Sequence, residues 1–443
     1  MPQAEQARPS HGRWYILGLI CLMYLITYLD RVIISNTAPE IRAEFGFDAK
    51  TMGWIFSSFV LAYALFQVPG GWLNERFGPR VVLTGLVAYW SLMTAAVGLA
   101  SSWPSFVVLL FLLGTGEAGA FPGATRAMQT WYPRRERGFC QGFTHSASRL
   151  GAAVAPPIVG TIIVALGWRW AFYICGLVGI GWSLLWYVSY RNSPEEHTIV
   201  NAAELKRIRG VDGMGKVNAA ALANGGAKVP WGTLLRSPNM WAIMCAYFTY
   251  VYCLYIFLAW LPSYLVGARH LTPEDARLAS SIPLAAMVIG NTVGGLATDW
   301  LLHKTGNTRF ARRSVAIVGM LGCASFIALA ALMADAYAAV YCLTGAAFFL
   351  ECTIGPSWSV PMDTAGKYSG TVSGMMNMAG NIGGALSPVV FGYLAQDGYW
   401  HAQFFVAAVL LLLGAAIWAF WLDPDKSVLE AHDMPVAVPA AAE

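Results

Sequence analysis

The chain has 443 residues, of which 57% are hydrophobic and only 12% charged, with a mean hydropathy of +0.53. A soluble globular protein carries about 25% charged residues, so this composition excludes that class and leaves a polytopic membrane protein. The net charge of +4 gives no reason to expect nucleic acid as a partner, and eight scattered cysteines without a C-x-x-C pair are expected to be free thiols used in packing.

A membrane span needs about 20 apolar residues, and twelve segments meet that length. Residues 1–13 are polar and lack a small-residue cleavage site, so they lead into a span and do not read as a signal sequence. The first segment, 14–36, contains ITYLDRVIISN, with an aspartate and an arginine side by side. Each costs roughly 2.5–3.5 kcal/mol at membrane depth. Segments 51–73 and 80–100 follow, joined by GGWLNERFGPR. Segment 104–130 holds Glu117 among small residues, GTGEAGAFPG, that let helices approach closely. Segment 138–166 carries Ser148 and Arg149 near its centre, and 168–190 completes a first set of six. The polar, Gly/Ala-rich stretch 191–238 reads as a linker. Six more segments follow: 239–266, rich in tyrosine; 276–302; 313–334; 336–362, with Glu351; 369–396, with Asn377 and Asn381; and 400–422. The expected organisation is an all-α protein of twelve transmembrane helices, with one six-helix half in 1–190, a cytoplasmic linker in 191–238, and a second half with a tail in 239–443.

Lysine and arginine set the orientation. With the N-terminus inside, twenty of the 28 basic residues fall in inside segments. Both termini are therefore expected in the cytoplasm of a cell bearing this protein in its cytoplasmic (inner) membrane. The two halves also repeat in sequence. GGWLNERFGPR (70–80) matches GGLATDWLLHKTG (294–306), placing Glu75 against Asp299. EAGAFP (117–122) matches ECTIGP (351–356), and RGFCQGFTHSASRLGAAVAPP (137–157) matches SGTVSGMMNMAGNIGGALSPV (369–389). Two parallel six-helix repeats put a substrate site between them near the midplane.

The loop Gly71, Leu73, Glu75, Arg76, Gly78 and Arg80 resembles the signature loop of the major facilitator superfamily, with Glu where Asp is usual. YLDR, FVLAYALFQVPGGWL, GEAGAFPGATR and the glycine-rich eleventh segment resemble its anion:cation symporters, which include sugar-acid importers and sialin. The resemblance implies proton-coupled import of an organic anion. It assigns proton carriage to Asp30 and Glu117, carboxylate binding to Arg31, and substrate contact to Tyr28, Tyr63 and Asn377. Ser148 and Arg149 stand where some relatives have a glutamine.

The residues support a similar picture independently, with alternatives. Tyr24, Tyr28, Arg31 and Ser35 share one helical stripe, and the planar fork of an arginine suits a carboxylate. Arg31 either binds substrate or balances a buried acid. Asp30 points about 100° away and is either a proton carrier or half of a permanent ion pair. Glu117 cannot be neutralised by Arg126 on its own helix, and an intramembrane acid is a functional candidate. Arg149 suggests a second substrate carboxylate, or a partner for Glu117 or Asp30. Glu351 could tether a hydroxyl, take a proton, or pack. Asn377 and Asn381 offer hydrogen bonds to hydroxyls, as do Ser357 and Trp358. Any single tyrosine among Tyr247, Tyr250, Tyr252 and Tyr255 is more simply a packing residue. Glu75, Arg76, Arg80, Arg126 and Asp299 form either a cytoplasmic gate of ion pairs or a solvated basic face.

No H-x-x-x-H, G-x-S-x-G or G-x-x-x-x-G-K-[ST] motif is present, which disfavours metal, hydrolytic and ATP-driven chemistry. The expectation is a monomeric transporter in the lipid bilayer, not an enzyme, with no cofactor. Its partners are protons and a small organic anion. Sugar acids lead because tyrosine, asparagine and serine suit hydroxyls; non-sugar anions such as dicarboxylates or aromatic acids are the alternative.

Overall fold

The computed structural model describes residues 9–209, 230–365 and 369–429. Twelve helices among them are long and apolar enough to cross a membrane. Spans 1 to 6 are Gly12–Phe45, Ala49–Asn74, Pro79–Val97, Trp103–Trp131, Gly142–Leu166 and Trp168–Ser189. Spans 7 to 12 are Pro238–Gly267, Pro273–Thr305, Thr308–Leu332, Ala336–Ala365, Thr371–Gln396 and Ala402–Trp421. Large side chains such as Val68, Leu177, Val188, Leu296 and Phe420 are exposed. So much uncovered apolar surface fits a protein whose solvent is lipid. The ends of the spans that carry the chain termini define one face of the protein, called here the terminal face; the opposite one is the far face.

Local chemistry starts and stops these helices. Gly46 closes span 1 in the left-handed conformation, at φ 68°. Asp48 then caps span 2 by accepting from the Thr51 N–H at 2.8 Å. Asn307 and Asp335 cap spans 9 and 10 in the same way. Spans 4 and 10 break at matching places: helix ends at Glu117 and resumes at Ala120, and ends at Cys352 and resumes at Ile354. The cause is a repeated proline. Pro122 and Pro356 have no N–H to offer the carbonyls of Ala118 and Cys352 four residues earlier. Each break therefore falls beside the acid of its half, Glu117 or Glu351.

The linker is partly docked. The helix Ala202–Arg209 brings Glu204, fully buried, to the start of span 1. There its carboxylate accepts from Ser10 Oγ, from the backbone N–H groups of Gly12 and Arg13, and from Arg13 Nη1. A carboxylate borrowed from the linker thus satisfies the free donors at a helix N-terminus.

The two halves are pinched together at the far face. A Cβ placed on Gly53 would lie 2.6 Å from the Pro388 carbonyl oxygen, and one on Gly392 would lie 2.5 Å from that of Ala49. Only glycine permits backbones of spans 2 and 11 to meet so closely. Gln396 Oε1 accepts from the Ala49 N–H, and Ser57 Oγ donates to the Ala385 carbonyl. Arg277 Nη1 of span 8 donates to Glu40 Oε1 of span 1 at 2.7 Å. Toward the terminal face, Gly142 and Gly374 on spans 5 and 11 have open space where a Cβ would stand. The polar contacts described at that face stay within one half. Examples are Arg80 to the Tyr187 carbonyl, Arg312 to Asp299 and Asp363, and Asn239 to the Asp423 carbonyl.

Candidate functional site

Four of the intramembrane charges, Arg31, Glu117, Arg149 and Glu351, converge at mid-depth into two arginine–glutamate pairs. Arg31 Nε on span 1 donates to Glu117 Oε2 on span 4 at 2.8 Å, with the glutamate fully buried. Four aromatic rings surround that guanidinium. Tyr63 lies 4.3 Å from its carbon, Tyr28 4.9 Å, Phe59 5.5 Å and Phe121 5.8 Å, measured to ring centroids. Such rings favour a desolvated cation. Arg31 is thus a counter-ion to a buried acid in this state, yet its capacity is not exhausted. Arg31 Nη2 and Glu117 Oε1 are buried and have no hydrogen-bond partner.

The second pair crosses between halves. Arg149 Nε on span 5 donates to Glu351 Oε2 on span 10 at 3.0 Å. The Tyr250 hydroxyl on span 7 donates to Glu351 Oε1 at 2.7 Å and accepts from Arg149 Nη2 at 3.1 Å. The acid that Arg149 meets is thus not one that the sequence suggested for it. Arg149 partners neither Glu117 nor Asp30, and Glu351 is held by a cation and a phenol, not left free for a hydroxyl. The pairing joins side chains 202 residues apart in sequence, a separation that no local pattern reveals. Arg149 Nη1 is buried and unpartnered.

Asp30 lies apart from both pairs. It is buried at 3% exposure, and neither carboxyl oxygen has a hydrogen-bond partner. Trp90 of span 3 is a neighbouring donor whose indole nitrogen is also unpaired. A permanent ion pair through Asp30 is therefore not what the structure contains. Asp30 and Arg31 line one cavity with Phe59, Val60 and Tyr255.

Around the second pair, Trp358 Nε1 donates to the Tyr247 hydroxyl at 3.1 Å, and the His145 ring lies 5.6 Å from that of Trp358. Three of the four span-7 tyrosines, Tyr247, Tyr250 and Tyr255, therefore belong to the site, where sequence alone favoured packing for each. Trp90 and Phe121 were missed as well, because an apolar side chain in a span carries no local mark of what it faces.

The candidate hydroxyl ligands are mostly occupied by their own helices. Ser148 Oγ donates to the His145 carbonyl, Ser357 Oγ to that of Thr353, and Asn381 Nδ2 to that of Asn377. Among the described residues, no hydrogen bond joins Asn377 or Asn381 to either arginine. Ser357 lines a separate small cavity with Tyr247 and Met376.

At the terminal face, Arg80 serves the Tyr187 carbonyl and Asp299 serves Arg312. The Arg76 guanidinium lies over the rings of Trp72 and Phe77. Arg126 has no carboxylate partner among the described residues. The Glu75 side chain lies outside the described residues. Among the described residues, no ion pair of this set bridges the halves.

A model of the Major Facilitator Superfamily matches residues 20–388. A probable sulfoacetate transporter of Cupriavidus necator is 45% identical over 404 residues, covering 91% of this chain and 92% of that relative. The D-galactonate transporter of Escherichia coli is 32% identical, covering 92% of this chain and 95% of its own, and the hexuronate transporter of Bacillus subtilis is 31% identical, covering 92% and 94%. In structure, the inward-open xylose transporter XylE from E. coli superposes with a TM-score of 0.73 at 16% identity, covering 95% of this chain and 99% of its own.

Proposed function

The chain belongs to the Major Facilitator Superfamily, with relatives among its anion:cation symporters, and from that premise we propose that it imports an organic anion together with protons by alternating access. The observation that carries this is the buried Arg31–Glu117 pair, in which the cation keeps a free donor and the acid a free acceptor. A substrate carboxylate that takes Arg31 leaves Glu117 without its counter-charge in low dielectric. A proton on Glu117 is then the least costly remedy. Substrate and proton are coupled because each stabilises the site the other has altered. Asp30, buried and unpaired, is a second proton carrier.

Tyr28, Tyr63, Ser148, Arg149, Ser357, Trp358, Asn377, Asn381 and Glu351 complete the binding region in this proposal. In this reading the terminal face is cytoplasmic, supported by the positive-inside distribution, and the pinched far face supports an inward-facing arrangement in an inner membrane. Glu75, Arg76, Arg80, Arg126 and Asp299 then form the gate that meets when the cytoplasmic side closes.

Two substrate readings remain within the proposal. Sugar acids are named for relatives at 31–32% identity, and a short sulfonated acid for the relative at 45%. The protein reconstituted in liposomes should accumulate a labelled organic acid when the outside is acidic, and a protonophore should abolish it. Uptake that equilibrates but never concentrates would replace the symporter with a channel.

A further inference from the structure

Arg149 and Arg31 share a ring. Their guanidinium carbons lie 5.1 and 4.9 Å from the centroid of Tyr28, so they stand no more than about 10 Å apart. Each keeps one buried nitrogen without a partner, Arg31 Nη2 and Arg149 Nη1. Both belong to the first half, on spans 1 and 5. Those spans are packed backbone to backbone, since a Cβ on Gly151 would lie 2.3 Å from the Leu25 carbonyl oxygen. Rocking of one half against the other therefore leaves the gap between the two cations unchanged. The acid on Arg149 comes from the other half, on span 10, and the phenol that steadies it comes from span 7.

We propose that Glu351 is a resident substitute for the second acid group of the substrate, and that the substrate is a compact dianion that spans Arg31 and Arg149 and displaces it. This rests on the organic-anion reading above and narrows its substrate class. An arginine–carboxylate contact spans roughly 4 Å between the two central carbons. Two such contacts fill most of a gap of that size, so acid groups separated by one or two atoms meet both cations with the least bending. The six-carbon chain of an extended hexarate meets both only by bowing away from the line between them. Once displaced, Glu351 is faced by Arg149 of span 5, Tyr250 and Tyr247 of span 7, and Cys352 beside it on its own span. With Arg149 engaged by substrate, the Tyr250 hydroxyl still donates to it, but no cation among those groups is left to balance it. The carboxylate then takes up one proton from the bulk aqueous phase, which offsets one of the two negative charges that the dianion brings. Each dianion thereby brings a proton to the second half as well as to the first.

The test uses purified full-length protein and competition binding with sulfoacetate, succinate, adipate, glucarate and gluconate. Sulfoacetate is the chief probe because its sulfonate stays ionised across the pH range. The compact dianions should bind about ten- to a hundredfold more tightly than gluconate, and adipate and glucarate should lose that advantage. The preference for sulfoacetate should fall as pH rises and become independent of pH in Glu351→Gln. The double variant Arg149→Gln with Glu351→Gln exchanges the ion pair for an amide pair. It should melt like the wild type and show no preference for dianions. Long dianions binding as well as short ones would overturn the inference, as would an unchanged pH dependence in Glu351→Gln. Gluconate transport without any dianion preference would sink this inference alone, whereas failure to bind any organic anion would remove the proposed function itself.

Discussion

The two arginine–glutamate pairs use repeat-related acids, Glu117 and Glu351, each at the proline-induced break of its span. They differ in where the cation comes from. Arg31 and Glu117 both sit in the first half, so their contact survives any movement between halves. Arg149 and Glu351 sit in different halves, so their contact is also a tie between the two moving bodies. The same chemical pair thus serves as a fixed site in one place and as a movable joint in the other. A strict repeat of the Arg31–Glu117 pair would set a cation beside Glu351 within the second half. Here the first half supplies both, and the second half is left to reach across.

The comparison is broken most severely at Arg31. Arg31→Lys keeps the charge beside Glu117, so the protein should insert and fold, but a point charge cannot reproduce the fork. Substrate affinity should fall by at least about a hundredfold in a binding assay. Near-normal affinity would show that the pair is structural.

Next is the acid of the fixed pair. Glu117→Gln should still bind and exchange substrate, yet lose accumulation driven by a pH gradient. Asp30→Asn should behave alike. Counterflow and gradient-driven uptake measured side by side in proteoliposomes separate the two activities. If both variants concentrate substrate normally, neither acid carries the coupled proton.

A stability measurement sharpens the contrast between removing one charge and removing both. Arg149→Gln leaves Glu351 buried beside Tyr250 alone, and should cost about 3–5 kcal/mol if the acid stays ionised. Adding Glu351→Gln should recover most of that loss. Thermal unfolding in detergent reads both, and equal destabilisation of the single and double variants would mean the pair contributes through packing only.

The smallest effect belongs to the far-face tie. Glu40 is 24% exposed, so its contact with Arg277 is partly screened. Glu40→Gln should favour opening of that face by about 1 kcal/mol or less. Spin-label distances across the ends of spans 1 and 8 should show a modestly larger open population. No shift at all would leave the far face held by the glycine contacts of Gly53 and Gly392 and the hydrogen bonds of Gln396 and Ser57.

Much of the site was visible in the sequence as a set of residues. Asp30, Arg31, Glu117, Arg149 and Glu351 are conspicuous because a charge in an apolar segment is costly. Their partners were not visible. Arg31 meets Glu117 across 86 residues and Arg149 meets Glu351 across 202. Tyr250 and Tyr255 looked like packing residues because a tyrosine in a span is amphipathic and equally at home in either role. The serines and asparagines looked like substrate ligands. In the fold, Ser148, Ser357 and Asn381 donate to their own helix backbone, a local alternative always open to short polar side chains.

Sequence alone determined the membrane class, the twelve spans, the twofold repeat and the two prolines that interrupt spans 4 and 10. These depend on hydropathy over about 20 residues or on the missing N–H of a proline, and both act locally. Tertiary structure decided which acid each arginine meets, which tyrosines enter the site and which face is closed. Those outcomes depend on how helices rotate and approach one another. That is set by close glycine contacts such as Gly151 on Leu25 and Gly53 on Pro388, and no single span encodes its neighbour's position.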